Sequence, residues 1–278
     1  SGTSGAGDGT NGSPSSFSGT SVTTISTSGG GGGGAGDSRD GLNGASGGGG
    51  AGRFATDGGL GIAGHTITAF GDAQHSTTQK KFGASSFKFD GDADSCIQFN
   101  DLEKMDFGTG DWTIESWSWM ATNTVRPGYE FGTFGSGGML EMFQGGSPGN
   151  IVYYTDTSGS GGSITVTGAT EGITLSTWFH TAFVHDSGTG TIYVDGVNRG
   201  TFSATPDIDY SGNRNWSIGG NISRTEGWTG YKDEFRVSNV ARYTSNFTPQ
   251  TAVFEHDANT VLLIHSDTSD GSTTFTDS

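Results

Sequence analysis

Asp111-Trp-Thr-Ile-Glu-Ser-Trp-Ser-Trp-Met120 decides the fold class. Successive side chains of a strand point to opposite faces, so Trp112, Ile114, Ser116 and Ser118 face one way and Thr113, Glu115, Trp117 and Trp119 the other. Both faces carry aromatic rings, which marks a central strand covered on both sides. From about residue 65 onward the chain repeats this kind of run. His65–Phe70, Ser86–Asp90, Ser95–Phe99, Tyr129–Phe134, Met139–Phe143, Asn150–Thr155, Ser163–Thr167, Trp178–His185, Thr191–Asp195, Asn198–Phe202, Trp216–Gly219, Gly230–Val237 and Val261–His265 are short, alternating or apolar, and separated by Gly, Asn, Asp and Ser. That spacing predicts an all-β antiparallel sandwich. Asp90-Gly91 and Asp195-Gly196 read as hairpin turns, because glycine adopts positive φ at little cost. Asn239–Tyr243 is the one candidate for a helical turn.

Residues 1–64 have a different composition. They hold 24 of the 52 glycines, including Gly29–Gly34 and Gly47–Gly50, and few large apolar residues. They cannot build a conventional core, and they lack the G-X-Y period of a collagen helix. Two readings stand: a flexible Gly/Ser linker, or ordered polyglycine strands packing backbone against backbone as an adhesive or packing element. The domain division expected is therefore 1–64 and 65–278.

Charge and cysteine usage narrow the partners. With 13 Lys+Arg against 29 Asp+Glu, the formal net charge is −16, which disfavours nucleic acid and anionic membrane surfaces. Cys96 stands alone, so neither an intrachain disulfide nor a Cys-based zinc site is available. No stretch approaches eighteen apolar residues, and Ser1–Gly12 has neither the basic nor the apolar part of a signal peptide. The reading is a soluble chain whose start at Ser1 reflects processing, excision from something longer or a cloning boundary.

Several segments resemble one family: Lys81-Phe-Gly-Ala-Ser-Ser-Phe-Lys-Phe-Asp-Gly91, Asp106-Phe-Gly-Thr-Gly-Asp-Trp-Thr-Ile-Glu115, Trp178-Phe-His180, Ile192-Tyr-Val-Asp-Gly196 and Gly230-Tyr-Lys-Asp-Glu-Phe-Arg-Val237. They are similar to the concanavalin A-like, laminin G-like jelly roll, in the variety frequent in virion proteins of marine bacteriophages. The resemblance covers residues 65–278 and implies two curved antiparallel sheets. Ala241-Arg-Tyr-Thr-Ser-Asn-Phe-Thr-Pro249 and the run from Asp257 to His265 resemble the connection between consecutive modules of phage structural proteins. The glycine-rich region resembles those of tail fibres and adhesins. In the family order, a segment like Val261-Leu-Leu-Ile-His-Ser-Asp-Thr-Ser-Asp-Gly-Ser-Thr-Thr-Phe-Thr-Asp-Ser278 opens a module; here it closes the chain. Residues 261–278 therefore read as a displaced first strand. Three placements are open to them: their own sandwich, a sheet edge of a neighbouring copy, or the start of a further module, with Val261, Leu262, Leu263, Ile264 and Phe275 as the assembly residues.

Catalytic signatures are weak. Sugar-cleaving relatives carry Glu-x-Asp-x-x-Glu on one strand; Glu255-His-Asp257-Ala-Asn-Thr260 lacks the second Glu and reads as a solvated loop. Gly44-Ala-Ser-Gly-Gly48 matches a nucleophile elbow only by glycine content. His180 and His185 fall on opposite faces and cannot share a metal. The expectation is a protein that is not an enzyme. Asp90-Gly-Asp92-Ala-Asp94 alternates carboxylates but departs from the EF-hand pattern at Ser95 and Asp101. The resemblance implies instead a structural calcium, with Asp233 as the first candidate ligand and Asp90 the second; the alternative is a hydrogen-bonded Asp securing the adjacent loop. Carbohydrate binding, common among relatives, asks for an aromatic platform beside planar polar groups. Trp216, Trp228, Tyr210, Asn213, Arg214 and Asn215 offer these, with Tyr129 and Arg126 as alternatives. The expected role is a structural or adhesive protein of a virion fibre or extracellular filament, with itself, other virion proteins or cell-surface glycans as partners. The alternative is a secreted lectin-like domain.

Overall fold

The computed structural model describes residues 65–100, 107, 110–122, 126–132, 173–201 and 215–278 in full. It also describes the strand backbone at 15–19, 22–27, 139–144, 150–155, 162–166 and 202–203. Contacts divide the chain into two units, Ser1–Ala63 and Gly64–Ser278. In the first, β1 (Ser15–Gly19) and β2 (Val22–Thr27) pair antiparallel, with Phe17 opposite Ile25. The polyglycine runs lie outside the described residues.

The second unit is built of β3 (Ile67–Phe70), β4 (Gln74–Ser76), β5 (Ser86–Asp90), β6 (Cys96–Asn100), β7 (Trp112–Met120), β8 (Arg126–Phe131), β9 (Met139–Gln144), β10 (Asn150–Thr155), β11 (Gly162–Val166), β12 (Trp178–Asp186), β13 (Thr189–Val194), β14 (Val197–Ser203), β15 (Asn215–Ile218), β16 (Thr229–Ser238) and β17 (Thr260–Ile264). A seven-stranded sheet runs β11-β10-β9-β8-β15-β6-β3; an eight-stranded sheet runs β14-β13-β12-β7-β16-β5-β4, with β17 paired to β16. The strand pairs are antiparallel, and the class is all-β sandwich. Asn239–Tyr243 is irregular rather than helical: the Tyr243 ring packs onto the sheet and the Arg242 guanidinium reaches back to Ser238 instead of closing a turn.

The alternation in β7 sets the layers. Trp112, Ile114 and Met120 join Phe87, Phe89, Phe183, Phe235 and Val237 in the core, meeting Ile97, Phe99, Phe131, Trp216 and Ile218 of the other sheet. Each such side chain contributes about 1.5–3 kcal/mol on burial. Asp195 and Gly196 take positive φ (48° and 75°) in the β13–β14 hairpin. Asp90-Gly91 is a different case: β5 and β6 belong to opposite sheets, so this is a crossing loop and not a hairpin. Its Gly91 has φ 93°, and a Cβ there would collide with Thr229 Oγ1.

β16 carries a bulge. Asp233 pairs with Trp117 and Arg236 with Glu115, so three steps on β16 match two on β7, and Glu234 sits at φ 54°. The extra residue keeps Phe235 in the core while Asp233 and Arg236 both reach the outer face.

The last segment returns to its own sandwich. β17 pairs with Phe235–Ser238 of β16, on the flank that β5 occupies along Thr229–Lys232. Beyond it, Gly271 N donates to His75 O and His75 N to Ser272 O, extending the pairing past β4. His75 accepts from the Ser266 hydroxyl at Nδ1 (2.6 Å), donates to Thr274 O (2.9 Å) and stacks on Phe275. Leu262, Ile264 and Phe275 enter the main core, with Val261 packed partly buried against it; Leu263 faces outward to Trp117 and Phe254. Asp277 closes the module: Oδ1 accepts from Leu263 N and Oδ2 from the backbone and ring of His65.

Candidate functional site

The outer face of the eight-stranded sheet falls into two halves. Over one half lies the connector from β16 to β17, residues 239–259. Tyr243 and Phe247, stacked at 3.5 Å, press onto Ala182, Val184 and Tyr193; Phe254 presses onto Trp117 and Leu263. Beneath it sits Glu115, fully buried. Its Oε1 accepts from Arg236 Nε and Nη2 at 2.8 and 2.7 Å, and its Oε2 from Tyr243 Oη at 2.8 Å and His180 Nε2 at 3.1 Å. Burial pushes this carboxyl up, and the His180 and Arg236 contacts more than offset it, leaving it below the ordinary carboxylate range. The connector is fastened at its edges by a two-pronged Arg242–Asp257 pair, at 2.9 and 2.8 Å, and by Glu234, whose carboxylate accepts from Phe254 N and the His265 ring.

The other half is open. Trp178 of β12 pairs with Trp119 of β7, Trp119 with Tyr231 of β16, Tyr231 with Lys88 of β5, and Lys88 with Gln74 of β4. All five are half-buried. With strands ~4.8 Å apart, the row spans roughly 19 Å across the sheet. Trp119 and Tyr231 meet edge to face, centroids 5.3 Å apart at 80°, so the surface is stepped. Burial and the nearby Asp270 charge raise the Tyr231 phenol, which stays protonated and able to donate. Along one side runs the Lys81–Phe82 loop, with Lys81 Nζ 3.7 Å above the Trp117 ring. Three aromatics in line beside Lys, Gln and Asp form the kind of surface on which pyranose rings stack and exchange hydrogen bonds.

The residues predicted from sequence fare differently. Trp216 and Trp228 are completely buried, so neither forms the exposed platform expected of it: Trp216 stacks on Phe99, 5.6 Å away, and Trp228 packs against Phe89. Tyr129 is likewise core, while Arg126 is half-buried. Asn215 is partly buried and accepts from Asn100 Nδ2. Tyr210, Asn213 and Arg214 lie outside the described residues. Asp233 holds a loop: Oδ2 accepts from Lys81 N and Phe82 N, Oδ1 from Glu234 N, and burial raises the carboxyl to about 7. Asp90 sits four residues further along the β5–β16 pair, so the two calcium candidates are not brought together. It joins Asp72 and Asp92 instead, with one carboxylate oxygen of each within 4.8 Å of the others. The Asp90 contact and charge raise the Asp72 carboxyl, and Asp90 Oδ1 also accepts from Asp92 N. This trio could hold a hard cation through oxygen ligands, whereas Asp233 has its oxygens engaged by backbone N–H groups.

Trp119, Trp178 and Tyr231 were not singled out from the sequence. The signal for Trp119 was present in the alternation of β7; what the sequence lacked was the register that sets Trp178 and Tyr231 beside it.

Comparisons with known proteins follow the same outline. Tailspike protein 2 of Escherichia coli O157:H7 bacteriophage CAB120 is similar in structure at 11% identity and a TM-score of 0.57, over 77% of this chain and 31% of that one. The binding domain of botulinum neurotoxin serotype G is similar at 14% identity and a TM-score of 0.52, over 66% of this chain and 45% of that one. The chain thus spans less than half the length of either. No curated protein sequence matches it. A laminin G-like profile described as the Concanavalin A-like lectin/glucanases superfamily matches residues 90–246, more than half of the sequence. Its span includes the whole of β7, β12 and β16, the strands that carry the aromatic row. The chain therefore belongs to the Concanavalin A-like lectin/glucanases superfamily.

Proposed function

We propose that the sandwich is a non-catalytic adhesive module of an extracellular assembly of the virion-fibre kind, and that it holds glycans on the Trp178–Trp119–Tyr231 row. The observation that carries this reading is the register that lines three half-exposed rings across adjacent strands at the centre of a sheet. The non-catalytic part is supported by where the buried acids among the described residues go. Glu115, Asp233, Glu234 and Asp277 each accept from guanidinium, imidazole or backbone N–H groups that hold the fold together. A glycosidase needs two carboxyl groups facing the scissile bond, and acids committed in this way cannot serve. The row also faces away from Trp216 and Trp228, so sugar binding and core packing use different rings.

Affinity electrophoresis of the purified chain through gels cast with a panel of soluble polysaccharides tests the reading. Retardation by at least one polysaccharide, its loss in Trp119→Ala, and no released reducing ends are expected. Equal retardation of the variant, or steady release of reducing ends, defeats it.

One observation favours a second reading, a secreted lectin-like domain acting as a monomer: β17 occupies a place in its own sheet, so the sandwich is complete without a neighbour. Light scattering separates the two. A fibre module elutes as an oligomer through a surface other than β17; a lectin of this kind elutes as a monomer that still binds sugar.

A further inference from the structure

The connector that covers the outer face also borders an open cleft of about 580 Å³, lined by Arg236, Arg242, Pro249, Val253, Glu255 and Asp257. That volume falls within the usual range of small-molecule sites. A connector of 21 residues without regular elements is long for a compact domain, and such loops are commonly functional when they are ordered. This one is ordered by bonds that also shape the cleft. Arg242 grips Asp257 with both Nη atoms, Arg236 Nη1 donates to Glu255 O at 3.4 Å, and Asp257 N donates to Thr260 Oγ1 at 3.1 Å. The walls are thus in place before anything binds, which lowers the cost of ordering them.

Donor arithmetic shows what would fit. A guanidinium has five N–H groups. Arg236 spends one from Nε and one from Nη2 on Glu115 and one from Nη1 on Glu255 O, leaving one on each Nη. Arg242 spends Nε on Ser238, both Nη2 hydrogens on Asp257 and Thr260, and one Nη1 hydrogen on Asp257, leaving one. Acceptors stand beside these donors: the Asp257 side chain is 45% exposed. Pro249 and Val253, the latter 40% exposed, add apolar surface. Charge decides between ligand classes. Arg236 is balanced by Glu115 and Arg242 by Asp257, Glu255 adds a negative charge, and the chain as a whole carries −16. An anion gains no net attraction there, whereas adjacent hydroxyls can donate to Asp257 and accept from the arginines.

We infer that this cleft is a second ligand site, separate from the aromatic row, and that it takes a neutral polyhydroxylated small molecule: a single sugar, a disaccharide or a polyol. It stands independently of the glycan reading of the row, because Phe254 and Trp117 lie between the two.

The test is ¹⁵N NMR of the full chain titrated with glucose, galactose, mannose, sucrose and glycerol, and with glucuronate and inorganic phosphate as anion probes. At least one neutral compound is expected to shift the amides of residues 248–257 with a dissociation constant on the order of millimolar. Thr251→Trp, a substitution at an exposed rim position that fills the cleft, is expected to weaken this at least tenfold, while Trp119→Ala leaves it unchanged. Shifts from the anions alone, shifts that persist in the plugged variant, or none from any neutral compound overturn the site. A failure of Trp119→Ala to alter polysaccharide retardation touches only the row.

Discussion

Under the connector, the outer face of the eight-stranded sheet buries Glu115, His180 and Arg236; four residues further along the same β7 strand it leaves Trp119 half-exposed, flanked by Trp178 and Tyr231. By ordinary partition the rings should be covered and the charges wet. The inversion follows from chain routing. Whatever lies under the connector must supply anchoring for 21 residues with no ladder of their own, and buried carboxylates that accept from several directions do this better than apolar contacts alone. The open half has no such task, so rings there remain available to a ligand. A test that separates the two halves is therefore one in which covered residues change stability and open residues change binding.

The largest effect on stability is expected at Glu115. Glu115→Gln removes the charge and replaces one of the two acceptor oxygens by a donor, so the side chain can no longer accept from Arg236 on one side and from His180 and Tyr243 on the other, and a buried cation is left unmatched, at a cost of about 3–5 kcal/mol in urea unfolding followed by tryptophan fluorescence. Polysaccharide retardation of the fraction still folded should not change. A loss below about 1 kcal/mol would mean that the connector is held by its stacked rings instead.

Next comes pH. The Asp233 carboxyl is raised from 3.8 to about 7 in the fold, so the folded state binds its proton more tightly than the unfolded chain. The stability from this group is fully present below the unfolded value and is lost as pH rises to about 7, by roughly 4 kcal/mol in all. Asp233→Asn should flatten that decline between pH 4 and 7. An unchanged slope would show that the carboxylate ionises freely against Lys81 N and Phe82 N.

Asp277 has the opposite sign. Burial raises its carboxyl, but the His65 and Leu263 contacts dominate and set it below 3.8, so its contribution is present above that value and lost as pH falls through the folded one. Asp277→Ala should cost about 2 kcal/mol at neutral pH, and the difference from wild type should shrink on acidification in equilibrium unfolding. A constant difference down to strongly acidic pH would exclude the carboxylate as the cause.

The parts of this comparison were unequally legible in the sequence. Period two in β7 correctly separates Trp112 and Ile114 from Glu115, Trp117 and Trp119, since alternation is a local property. β4, three residues long, has too little pattern to read, and it exists because β5 needs an edge neighbour. The bulge at Glu234 leaves no local sign either; it is imposed by matching Asp233 and Arg236 to Trp117 and Glu115. Trp216 and Trp228 misled because they sit among polar loop residues; only the pairing of Trp216 between Phe99 and Phe131, with Phe235 of the facing sheet against it, and the packing of Trp228 on Phe89 decide that they are core. The segment 241–249 resembled a link between modules because its aromatic residues look spare in sequence; folded, they cover Ala182, Val184 and Tyr193.

The smallest effect on stability, and the most informative, is expected at Trp119. Its ring is already partly in water and its contact with Tyr231 is a single edge-to-face pair, so Trp119→Ala should cost only about 1 kcal/mol. For a sugar stacked on the step between the two rings, losing one wall removes most of the contact, and retardation by polysaccharide should fall at least tenfold. Tyr231→Phe sharpens the point, since it keeps the ring and deletes the hydroxyl. An intermediate loss there would assign part of the affinity to a hydrogen bond from the protonated phenol, whereas full retention would leave stacking alone. If instead Trp119→Ala unfolds the chain as readily as Glu115→Gln, the open half is not spare surface at all, and the two halves of the face are one packed layer.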